Sequence, residues 1–174
     1  MEADLHFLAK CVVAVAASAL LSPLSVLATP LASPKAKPIL EIAGSIGTTN
    51  KDGTALFDRE MLESLGMETI ITTTPWHTGP QKFEGIPLIK IMELVAAKGT
   101  TVEALALNDY VTQIPIEDFA KFGVILALKR DGEDMPVRDK GPLFIVYPYD
   151  SNPMLKSQTY YGRSAWQVAK LTVK

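Results

Sequence analysis

Apolar residues recur along this chain in two rhythms, one of period two and one of three to four, with polar turns between them. Residues 39–44 alternate loosely and predict a first strand. A polar turn over 48–54 centres on Asp52-Gly53. Asp58 is suited to cap a helix over 59–65, which Gly66 closes. Residues 67–74 are rich in β-branched side chains and predict a strand, followed by a long loop over 75–86. Pro87 stands at the start of a helix whose apolar face is Leu88, Ile91, Met92 and Val95, running up to Gly99. Strands over 102–107 and 111–114 flank the turn Asn108-Asp109-Tyr110. A short helix over 117–122 and a buried strand over 124–128 follow, and Arg130-Asp131-Gly132 turns the chain toward Met135-Pro136-Val137.

The stretch from Arg138 to Asp150 is the centre of the pattern. Charge is concentrated in Arg138-Asp139-Lys140, Gly141-Pro142 breaks the chain, and Leu143 to Tyr147 run without a charge. An apolar run of this length fits a strand buried on both faces. The charged knot therefore sits at one end of a central strand, where it forms either a solvated turn or part of a ligand site. A polar segment continues through Arg163, and residues 165–173 predict a last strand. Mixed short strands with three helices indicate an α+β fold.

Composition changes the picture mainly at the beginning. The chain has 174 residues, the size of one domain, and a net charge of −2. No charged residue occurs from Cys11 to Ala28, and Val26-Leu27-Ala28 has the small-residue spacing of a signal-peptidase site. Residues 1–28 are thus expected to be a cleaved general-secretory signal peptide, with 29–38 a proline-containing linker and 39–174 the domain. A retained membrane anchor is the other reading of the leader. Without Glu2, Asp4 and Lys10 the charge stays close to neutral, with no basic stripe of the kind that binds nucleic acid. The single cysteine, Cys11, leaves with the leader, so the exported chain has no disulfide and no thiolate ligand, and its one histidine is His77. A His/Cys zinc site within one chain is excluded.

The chemistry that remains is recognition. No Gly-x-Ser-x-Gly elbow occurs, and Gly44-Ser45-Ile46-Gly47 lacks the third glycine of a phosphate-binding loop. The carboxylates Glu117, Asp118, Asp131, Glu133 and Asp134 read as solvated turns, with carboxylate-only metal binding left open. Trp76, Tyr110, Tyr147 and Trp166 offer faces for stacking a flat heterocycle. Asp109 and Asp139 are each able to accept two parallel hydrogen bonds from an amidine-like edge, and Arg138, Lys140 and Arg163 suit carbonyl oxygens or an anionic tail. Each of these residues is also compatible with a structural role.

Several motifs follow one another in the order seen in a known family. They are Trp76-x-x-Gly79, Phe83-Glu84-Gly85-Ile86-Pro87-Leu88, Asn108-Asp109-Tyr110, Ile114-Pro115, Asp131-Gly132 and Arg138-Asp139-Lys140-Gly141-Pro142-Leu143. Together they resemble the oxidoreductase molybdopterin-binding domain, the sulfite oxidase fold, over about Ile39 to Val173. Tyr160-Tyr161-Gly162-Arg163-Ser164-Ala165-Trp166-Gln167 is similar to the closing segment of small exported members. The resemblance implies an α+β domain of mixed sheets around a pterin site. Family enzymes hold molybdenum through a cysteine thiolate and are commonly exported with a twin-arginine signal. Here the exported chain lacks cysteine, and no arginine precedes Arg59.

What the resemblance implies is therefore a periplasmic pterin-binding module without molybdenum redox chemistry. Such a module reports pterin status to an inner-membrane signalling protein, such as an enzyme of cyclic-di-GMP turnover. Carried over motif by motif, the ligand site comprises Trp76, Asp109, Tyr110, Arg138, Lys140 and Arg163, with Asn108 and Tyr147 as second choices. A molybdopterin-dependent oxidoreductase, or a subunit of one, is the first alternative. A purely protein-binding periplasmic domain is the second.

Overall fold

A computed structural model describes residues 31–174; the expected leader and the first two linker residues lie outside them. Within the linker, residues 31–38 have no regular secondary structure but are tied to the domain. The Asp58 carboxylate accepts the backbone N–H groups of Lys35 at 2.8 Å and Ala36 at 3.0 Å. Its other oxygen accepts from Met61 N at 2.9 Å and caps α1 (Arg59–Ser64), as a helix start requires.

Among the described residues the strands form two sheets. The first has the order β2-β1-β10-β5-β6, built from β1 (Leu40–Gly44), β2 (Ala55–Phe57), β5 (Thr101–Ala106), β6 (Val111–Pro115) and β10 (Val168–Val173). β1 runs parallel to β10, with Ile42 opposite Leu171, and the other pairs are antiparallel. The second sheet has the order β3-β4-β7-β8, from β3 (Glu68–Thr72), β4 (Gln81–Pro87), β7 (Ile125–Arg130) and β8 (Glu133–Asp134). β9 (Phe144–Val146) also pairs with β7. Helices α2 (Leu88–Leu94), α3 (Glu117–Phe122) and α4 (Gln158–Arg163) complete an α+β fold.

The unbroken apolar runs are explained by burial on two sides. Leu126 and Leu128 of β7 and Ile145 of β9 join the main core with Ile42, Ala104, Leu171 and the α2 face of Leu88, Ile91 and Met92. Ile125 and Ala127 of β7 and Phe144 and Val146 of β9 point the other way, into a smaller cluster with Phe83 and Met135. Both faces of these strands are dry, so no alternation survives in their sequence. Full burial of Phe83 and Phe144 contributes about 1.5–3 kcal/mol each. Trp76 and Trp166 pack on the same small cluster and so adjoin the central strand.

Several elements depart from the sequence expectation, among them the unanticipated two-residue β8 and α2, which ends at Leu94 and not at Gly99. β2 was not anticipated, because three residues are too short to show a period. The expected loop over 75–86 ends in β4, which lies between β3 and β7. Gly85, expected within that loop, serves close backbone approach: a Cβ there would stand 2.2 Å from the Leu126 carbonyl oxygen. The polar segment before Arg163 contains α4 and two 3₁₀ turns at Tyr149–Ser151 and Pro153–Leu155, giving four α-helices where three were expected.

Candidate functional site

A cleft of about 530 Å³ opens where the loop after β3, the β5–β6 turn and α4 converge. Its lining is Pro75 and Trp76 from the first, Asn108 and Tyr110 from the second, and Gln158, Tyr161, Gly162, Ser164 and Trp166 from α4 and the segment after it. Ligand sites are commonly about 300–1,000 Å³ and mostly apolar with a few converging polar groups. This cleft has that character.

Trp76 is the centre of its aromatic wall. Its ring meets Trp166 at 5.4 Å, Phe144 at 5.7 Å, Tyr161 at 6.0 Å and Tyr149 at 6.3 Å between centroids, each in an edge-to-face arrangement. Four rings around one indole fix its orientation by packing. Trp166 is held from behind through its backbone bridge to Phe144 of β9. Backbone bonds from Ile145 N to Ala165 O and from Gln167 N to Lys140 O extend that pairing. The segment carrying Trp166 thus runs beside the central strand, and the Lys140 ammonium comes to stand 5.1 Å over the Trp166 ring.

The polar wall is assembled by the turn and the helix. Tyr110 N donates to Asn108 Oδ1 at 3.3 Å, and the Tyr110 hydroxyl donates to the Gly162 carbonyl at 2.7 Å, fastening the turn to α4. Gln158, Tyr161 and Gly162 share the cleft-facing side of α4 at positions i, i+3 and i+4. The Ser164 hydroxyl donates to the Tyr160 carbonyl at 2.8 Å and bonds the buried Tyr149 hydroxyl. Burial raises the Tyr149 phenol far above its ordinary value, so it is neutral at every physiological pH. The two carboxamides, of Asn108 and Gln158, are among the polar functions of the wall, each offering donors and an acceptor.

Of the residues expected at a ligand site, the cleft gathers Trp76, Asn108 and Tyr110, with Lys140 beside it over Trp166. Asp109 occupies the same turn with φ of +63° but is exposed and outside the lining. Arg138 is exposed on the 3₁₀ turn Val137–Asp139. Tyr147 is fully buried, and its hydroxyl donates to Asp118 Oδ2 at 2.8 Å. Arg163 donates to that same oxygen at 2.7 Å and lies 5.3 Å over the Tyr160 ring. Burial, and then the bond to Asp118, push the Tyr147 phenol far above its usual range. Tyr147 and Arg163 therefore form an internal brace with Asp118.

Residues that sequence reasoning left out of the site are Pro75, Gln158, Tyr161, Gly162, Ser164 and Trp166. The sequence marks Trp166 only as a stacking face. The i, i+3, i+4 spacing on α4 was the available signal, hidden because residues 158–163 show no apolar stripe. Asp139 is held by Arg130, with bonds of 2.7 and 3.4 Å, and this pairing holds its carboxyl below the usual carboxylate range.

A second groove of about 480 Å³ is walled largely by aliphatic side chains, among them Ile39, Leu56, Leu107, Val137 and Ala169. Among the described residues no group of three or more His, Cys, Asp or Glu side chains converges as a metal site, and no helix is long and apolar enough to cross a membrane. Comparison with family models and with curated proteins finds no match to this chain.

Proposed function

We propose that this protein is a pterin-binding module of the sulfite-oxidase type, which grips a flat, neutral heterocycle in the Trp76–Trp166 cleft. One observation carries the reading: the aromatic side chains of Trp76, Trp166, Tyr161 and Tyr110 line one cleft together with the carboxamide-bearing Asn108 and Gln158. Stacking rewards any planar ring, and a carboxamide pairs with the adjacent N–H and C=O of a lactam edge, which a pterin presents. The hydrogen-bonding edge is read by neutral amides in this proposal, in place of the Asp109 carboxylate expected from sequence. Lys140 serves an anionic or carbonyl substituent beyond the ring.

The family's molybdenum takes a cysteine thiolate, and the cleft residues supply no thiol. The donor set does not fit the metal. Export by the apolar leader and a signalling partner at the inner membrane belong to the same proposal; they rest on the leader and the family resemblance.

The test is a titration of the purified exported chain with biopterin, oxidised and tetrahydro forms separately, followed by tryptophan fluorescence, with molybdenum measured on the protein as isolated. Saturable one-to-one binding without molybdenum is expected. Stoichiometric molybdenum, or no binding of either form, overturns the reading.

A further inference from the structure

His77 lies outside the cleft but is wired to its central ring. Arg130 Nη1 donates to His77 Nε2 at 2.6 Å, while Nη2 of the same guanidinium donates to Asp139 Oδ2 at 2.7 Å. Arginine only donates, so Nε2 carries no proton and the imidazole is the neutral Nδ1–H tautomer. That N–H donates to Thr74 Oγ1, 2.8 Å away, and the same oxygen accepts the backbone N–H of Trp76 at 3.3 Å. Thr74 is buried, so the relay runs through a protected position. It ties the turn carrying Trp76 to β7, and through Asp139 to the charged turn before β9.

A proton on Nε2 would set two N–H donors against each other. The charged groups around the ring are Arg130 and Lys140 on one side of the balance and Asp139 and Asp131 on the other; its flat neighbour is Phe83, 6.0 Å away. Burial first, then Arg130 and Lys140, lower the imidazole below its ordinary value of 6.5, against the smaller upward pull of the two aspartates. The neutral form that the geometry requires is the form the surroundings favour.

We propose that His77 is the positioning residue of the cleft: while neutral it anchors the Trp76 turn to Arg130, and its protonation releases that anchor and weakens binding of a planar ligand. This rests on the cleft being the heterocycle site.

Two readouts separate the inference from that reading. In the ligand-free protein, the Trp76 indole N–H resonance is followed from about pH 7.5 to about pH 4.5, beside the His77 ring protons. In parallel, biopterin affinity is measured over the same range. The expected result is a Trp76 shift that tracks His77 and a roughly three- to tenfold loss of affinity in acid, the worth of about one hydrogen bond. His77→Gln retains an acceptor for Arg130 and a donor for Thr74 without a titrating group; it should keep neutral-pH affinity and lose the acid step. His77→Phe, which makes neither bond, should bind weakly throughout. An acid step that persists in His77→Gln, or a Trp76 resonance indifferent to His77 titration, overturns the proposal. If biopterin binds at no pH while Trp76 still tracks His77, the positioning role stands and the heterocycle reading falls.

Discussion

Arg163 and Tyr147 donate to one and the same carboxylate oxygen, Asp118 Oδ2, at 2.7 and 2.8 Å. The Asp118 side chain is only 5% exposed and that of Arg163 23%, so the charges are largely removed from water. Removing one partner strands the other: Arg163→Met should cost about 2–4 kcal/mol in urea unfolding, the lower end reflecting the arginine's partial exposure. The triple variant Arg163→Met/Asp118→Leu/Tyr147→Phe should recover much of that loss, because Asp118→Leu without Tyr147→Phe would leave the buried Tyr147 hydroxyl without an acceptor. A folded Arg163→Met protein that binds biopterin as tightly as wild type would confirm a brace; weakened binding at unchanged stability would return Arg163 to the ligand.

At the cleft, Asn108→Ala and Gln158→Ala should each raise the biopterin Kd by roughly three- to tenfold, the worth of a neutral hydrogen bond. Asp109→Asn should leave it unchanged, since Asp109 faces solvent outside the lining and asparagine tolerates its left-handed backbone. A loss confined to Asp109→Asn would instead restore the carboxylate as the edge reader.

Asp150 contributes to the acid limb of stability. Its carboxylate accepts from Thr73 N at 2.6 Å, Thr73 Oγ1 at 2.7 Å and Lys156 at 2.6 Å. Lys156 first, then Thr73, hold its pKa well below the ordinary 3.8. A depressed carboxylate contributes stability that is fully present above the unfolded value and is lost as pH falls through the folded one, so this contribution fades below about pH 3.8. Asp150→Asn should cost about 1 kcal/mol at neutral pH, reduced by solvent screening, and the two proteins should converge in strong acid. Parallel stability–pH curves would remove Asp150 from this role.

Two glycines should respond differently to alanine. At Gly141 a Cβ would stand 1.8 Å from the Met135 carbonyl oxygen, so backbone must move; Gly141→Ala should lose about 3 kcal/mol or more by thermal unfolding and disturb Lys140 over Trp166. At Gly79 nothing lies within 4 Å of a Cβ, and only the φ of +72° is unfavourable. Gly79→Ala should cost about 1 kcal/mol. Equal losses at the two positions would contradict the packing at Gly141.

Much of the fold was legible because its signals are local. The Asp58 cap, the α2 face of Leu88, Ile91 and Met92, and the dry strand after Gly141 each follow from residues within one or two turns of chain. β4 and α4 were not legible. Gly85 is shaped by Leu126, remote in sequence, and Gln158–Arg163 packs through Tyr110, whose bond to Gly162 spans 52 residues.

The site divides in the same way. Sequence by itself determined which chemistry was available: aromatic faces, carboxamides, a charged knot before a buried strand, and no cysteine beyond Cys11. Only the tertiary structure decided which of these groups meet. It brought Trp76, Asn108 and Tyr110 to one cleft with Trp166, and drew Tyr147 and Arg163 away to Asp118, at separations of 29 and 45 residues. The physical reason is that a buried carboxylate must be paired. Side chains that read as ligand contacts in isolation were claimed by that demand inside the fold.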